Sequence, residues 1–79
     1  MTNKDKFEQL LCENYRRLFN TDPDYSFSAR HTTPENLAKK MTEGLDTGAA
    51  NHDGAGIKAT CKQLGIPHTR KAIRAFIVS

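Results

Sequence analysis

A chain of 79 residues holds one core at most, so residues 1–79 read as a single domain. Lys and Arg number 12 against 9 Asp and Glu, for a formal net charge of +3 and a pI near 9.1; apolar residues make up 37%, Trp is absent and mean hydropathy is −0.68. The longest apolar run, Ala75–Val78, falls far short of the roughly 20 residues of a membrane span, and no export-type apolar stretch follows Met-Thr-Asn-Lys-Asp-Lys, so a cytoplasmic location is expected.

The first predicted element runs from about Lys4 to Asn20. Phe7, Leu10, Leu11, Tyr15, Leu18 and Phe19 recur at the spacing of one amphipathic helix face. Asn3 is the expected N-cap. Asp5 suits the positive end of the helix dipole, and Arg16 and Arg17 suit the other end. Asp22-Pro23-Asp24 stops the helix. Tyr25-Ser26-Phe27-Ser28 alternates apolar and polar, as an extended segment laying its rings on the core would; a short helical turn is the competing assignment. Thr32-Thr33-Pro34-Glu35 starts a second helix in one of two ways. Thr32 with Glu35 makes a capping box, and Thr33 with Pro34 at the first helical position makes a simple cap. Leu37, Ala38, Met41 and Leu45 form its stripe to about Leu45, with Gly44 and Gly48 punctuating the end.

The small, polar run from Asp46 to Gly56 reads as a loop, with Asn51 or Asp53 capping a third helix. That helix is expected to reach about Leu64, turn Ile57, Cys61 and Leu64 inward, and end at Gly65. Ile66-Pro67-His68 forms a turn. A fourth helix then begins at His68 or Thr69, with Ala72, Ile73, Phe76 and Ile77 on one face. The fold class expected is all-α: a compact four-helix domain whose residues 57–78 form a C-terminal helix-turn-helix-like αα-hairpin. Cys12 and Cys61 lie in apolar helical patterns and are expected as free buried thiols, with a disulfide as the alternative. A core this small also leaves room for a homodimer to complete it.

Charge is segregated along the chain. Residues 57–79 carry Lys58, Lys62, Arg70, Lys71 and Arg74 with no carboxylate, net +5, whereas residues 1–56 are net −2. A block of one sign is an argument about partners rather than fold. Arg70 and Arg74, like Lys58 and Lys62, stand four apart, so each pair projects from one side of its helix.

The stretch Ile57–Arg74 resembles a DNA-binding helix-turn-helix through Leu64-Gly65-Ile66, where Gly turns the chain and Ile plugs the core, and through the basic helix that follows. The resemblance implies a second helix entering the major groove with His68, Thr69, Arg70 and Lys71 leading and Arg74 one turn on. Two departures stand beside it: the next strong apolar position, Ile73, comes two residues later than that motif places it, and Pro67 occupies the turn. An αα-hairpin with a solvated basic face fits the same spacing.

Catalysis finds no support in the residue pattern. Asn51-His52-Asp53-Gly54 is read as a turn with helix caps, and Cys12, His31, His52, Cys61 and His68 show no zinc-like spacing. The glycines follow neither the P-loop nor the dinucleotide pattern. Cys61, on the inward stripe, suits packing better than attack. A non-enzymatic protein without metal or cofactor is expected.

Thr-Thr-Pro-Glu-Asn-Leu-Ala-Lys-Lys-Met at 32–41, Ala-Asn-His-Asp-Gly-Ala-Gly-Ile-Lys at 50–58 and Cys-Lys-Gln-Leu-Gly-Ile-Pro-His-Thr at 61–69 together resemble small orphan proteins of bacterial phages and prophages. That resemblance spans most of residues 32–77 and implies a cytoplasmic accessory factor that binds nucleic acid or blocks host machinery such as restriction or CRISPR complexes. The leading expectation is a small module that binds DNA, RNA or a nucleoprotein through Lys58, Lys62, His68, Arg70, Lys71 and Arg74, with Arg70 as base reader. The alternative is a phage-type protein–protein inhibitor or adaptor of a host complex.

Overall fold

The computed structural model describes residues 1–22, 32–52 and 54–79, and among them four helices and no strand: α1 Asn3–Thr21, α2 Pro34–Thr47, α3 Ala55–Leu64 and α4 Arg70–Val78. The chain is all-α, as its periodicity requires. Tyr25–Ser28, expected as an extended segment, lies outside the described residues.

Local chemistry sets the helix ends. Thr2 rather than Asn3 caps α1. Its Oγ1 accepts from the Asp5 amide at 3.1 Å while the Asp5 carboxylate accepts from the Thr2 amide at 3.3 Å, a reciprocal capping box. The Asn3 side chain instead donates from Nδ2 to Ser79 Oγ at 2.7 Å, tying the two ends of the chain together. At α2 the structure selects Thr33, whose Oγ1 accepts from the Asn36 amide at 3.1 Å with Pro34 at the first helical position. That helix continues to Thr47 and closes on Gly48, so Gly44 lies within it rather than at its end. The loop doubles back there: the Ala50 amide donates to Gly44 O at 3.0 Å, and a Cβ on Gly44 would stand 2.6 Å from that of Ala50.

Neither Asn51 nor any other described side chain caps α3; Gly54 occupies the cap position, and Asp53 is outside the described residues. Gly65, at φ +72°, ends α3 in the left-handed region that side chains disfavour. Its amide donates to Lys62 O at 3.2 Å and that of Ile66 to Cys61 O at 3.1 Å, a Schellman ending whose apolar residue, Ile66, packs on the core. Thr69 caps α4 by accepting from the Ala72 amide at 3.1 Å.

The core forms around α1. Phe7, Leu11 and Tyr15 meet Ala38 and Leu45 of α2, Ile57 and Cys61 of α3, and Ile73 and Ile77 of α4, all buried. Helix α1 packs on each of the other three, and α2 on α4, while α3 and α4 make little direct contact. The C-terminal pair is therefore not a hairpin packed on itself. Each of its helices has one narrow apolar stripe; that of α3 packs on α1, and that of α4 on α1 and α2 together. The radius of gyration, 11.7 Å, is close to the roughly 11.6 Å of one compact unit of this length. Phe7, Leu11, Leu45, Ile57 and Ile73 are fully buried within a single chain.

Candidate nucleic-acid interface

Helix α4 is amphipathic with a short period: Ile73 and Ile77 are buried, and Arg70, Lys71 and Arg74 are exposed. These three cations, with Ala75 and Val78, line an open depression of about 520 Å³ on the outer side of the helix. Val78 is 68% exposed, so the depression is basic at one end and apolar at the other. Lys58 and Lys62, one turn apart on α3, are also exposed. The ion pairs among the described residues are Lys4–Asp46 at 3.4 Å and Arg16–Glu35 at 2.5 Å. None involves a cation of α3 or α4, so among the described residues that charge is uncompensated.

His68 does not belong with these exposed cations. It is half-buried, and its Nε2–H donates to the His52 carbonyl, with the two imidazole rings 5.4 Å apart and tilted by 57°. Arg70, although exposed, leans back so that its guanidinium donates to Ala50 O at 3.4 Å. Residues 50–52 of the α2–α3 connection thus lie against the start of α4.

One surface feature goes beyond the sequence reading. Asp5, Glu8, Gln9, Cys12, Glu13 and Arg16 of α1 and Glu35 of α2 line a cleft of about 320 Å³. Its acidic character was legible in the i, i+3 spacing of Asp5 and Glu8 on the side of α1 away from Phe7 and Leu11. The contribution of Glu35 from α2 was not. The Arg16 guanidinium bonded to Glu35 holds that carboxyl below its usual range, and the Glu35 carboxylate in turn raises the Arg16 guanidinium.

Both cysteines are free thiols. Cys61 is buried as expected, while Cys12 is only half-buried. Burial pushes the Cys61 thiol up; burial, then the nearby Glu35 charge, pushes Cys12 up. The Arg16 guanidinium donates to Cys12 Sγ at 3.8 Å, but burial and the Glu35 charge outweigh it and the thiol stays raised. Among the described residues no group of three His, Cys, Asp or Glu side chains could hold a metal ion, and no helix is long and apolar enough to cross a membrane. Comparison with protein families, with curated proteins and with solved structures finds no match.

Proposed function

We propose that the protein is a non-enzymatic nucleic-acid-binding module whose contact surface is the outer face of α4, supported by Lys58 and Lys62 of α3. The observation that carries this reading is the separation of charge. Arg70, Lys71 and Arg74 share an exposed helix side with no carboxylate in residues 57–79, whereas all nine acidic side chains lie in residues 1–56. Such a field attracts a polyanion, and each phosphate neutralised by Lys or Arg releases condensed counterions. Arg supplies a planar fork for phosphate oxygens and Lys a point charge. The helix-turn-helix resemblance of residues 57–74 and the likeness of residues 32–77 to small phage proteins agree with this role and would make the chain an accessory factor.

Because α4 is held by Ile73 and Ile77, its outer face can be reversed without touching the core. The double substitution Arg70→Glu, Arg74→Glu is expected to abolish retention of labelled duplex DNA and RNA at low salt while far-UV helicity stays unchanged. Wild-type binding is expected to weaken steeply with added salt. Wild-type affinity in the double variant, or no retention of either nucleic acid at low salt, overturns the proposal. A protein partner captured from nuclease-treated lysate, without nucleic-acid binding, would favour the inhibitor or adaptor of a host complex instead.

A further inference from the structure

A helix that reads base sequence does so with side chains at its N-terminal end, presented to base edges in the major groove. In this protein that end is already engaged. The His68 ring is half-buried and bonded to the His52 carbonyl. The Thr69 hydroxyl accepts the Ala72 amide as the helix cap. The Arg70 guanidinium donates to Ala50 O. The loop supplying those carbonyls is itself tied to α2 by the bond from the Ala50 amide to Gly44 O at 3.0 Å. Thr69 and Lys71 are exposed and make no bond to residues 50–52, but the Thr69 hydroxyl is taken up by the cap and the Lys71 ammonium is a point charge without the planar fork of a guanidinium. Arg74 stands one turn further on, at the side of the helix, beside Ala75 and Val78.

We infer that the α2–α3 loop, by occupying the start of α4, makes this a sequence-independent binder that lies along the nucleic-acid backbone through Lys71 and Arg74. The inference rests on the nucleic-acid reading above and names its target as the phosphate backbone of a duplex. Phosphate contacts of this kind supply affinity without sequence information.

The test uses the full chain and a pool of random-sequence 20-base-pair DNA duplexes, with fluorescence anisotropy as readout. Repeated selection from the pool is expected to enrich no motif, and fixed duplexes of different composition should bind within about threefold of one another. Lys71→Gln and Arg74→Gln should each lower the slope of log affinity against log salt by about 0.9, and Arg70→Gln by clearly less. An enriched motif bound at least about 30-fold more tightly than the pool and lost in Arg70→Gln would show base reading; it overturns this inference and leaves the nucleic-acid reading standing. Failure of every duplex to bind at low salt overturns this inference, and failure of RNA to bind as well overturns the nucleic-acid reading with it.

Discussion

Asn14 is 2% exposed between α1 and α3, where it donates from Nδ2 to Thr60 Oγ1 at 2.8 Å and to Gln63 Oε1 at 3.1 Å, while its Oδ1 accepts from Arg17. The Thr60 hydroxyl itself donates a hydrogen bond to Gly56 O at 2.8 Å, so the buried polar atoms are linked from one helix to the next. Asn14→Ala removes the hub and leaves its partners short of a bond. Urea unfolding should show a loss of about 1–3 kcal/mol, larger than for Thr60→Val, after which Gln63 and Arg17 still hold Asn14. One turn of α3 away, a Cβ on Gly56 would stand 2.6 Å from Cε1 of the buried Tyr15. Gly56→Ala should therefore destabilise despite its better helix propensity. Overpacking a ring costs about 1–3 kcal/mol, whereas alanine in a helix gains at most about 1 kcal/mol over glycine. The Cys61 thiol is held in its protonated form by burial. Its contribution to stability is complete below the usual thiol pKa of about 8.5 and is lost as pH rises through the raised folded value. Native protein should accordingly resist thiol reagents at Cys61 at neutral pH and react fully once unfolded in urea.

Helices are delimited by caps, and three of them were ambiguous in the residue pattern. Thr32 and Thr33 both have a helix-starting partner downstream; what separates them is local, because Pro34 disfavours helical backbone at Thr33 and leaves it as the cap. The Glu35 carboxylate, which a box with Thr32 would use, is bonded to Arg16 of α1 at 2.5 Å, and Thr33 takes the cap. For α4, Thr69 stands between the His68 contact and Arg70, so the cap also sets where the basic face begins. Thr69→Ala should lower stability by about 1 kcal/mol in thermal or urea unfolding. The start of α4 should then show faster amide exchange, with little change in the salt slope of binding. The weak contact between α3 and α4 has an element-scale cause too. Ile57 and Cys61 of α3 and Ile73 and Ile77 of α4 are committed to the core shared with α1 and α2 rather than to each other's helix.

At the scale of the whole molecule, two surface features carry opposite character. The acidic cleft of Asp5, Glu8, Glu13 and Glu35 opposes, in sign, the basic face of α4, and a polyanion approaching α4 also feels the α1 carboxylates at long range. Glu8→Gln with Glu13→Gln should therefore tighten duplex binding severalfold at low ionic strength. That gain should vanish near physiological salt, where the screening length is about 8 Å. Unchanged low-salt affinity in that variant would confine the interaction to direct contacts on α4.

The four helices of the described residues, their approximate ends and their inward stripes were determined by the chain itself, because they depend on neighbours one to four residues away: Phe7, Leu11 and Tyr15, or Ile73 and Ile77, reveal their face by spacing alone. The candidate cations were legible for a similar reason, since residues 57–79 hold no acid to offset them. Tertiary structure alone decided which helix is central, that α3 and α4 lean on α1 rather than on each other, and that His68 and Arg70 are turned toward residues 50–52. Those outcomes rest on contacts between residues 16 to 76 positions apart, such as His52–His68, Asn14–Thr60 and Asn3–Ser79, and no local period encodes which distant group a side chain will meet.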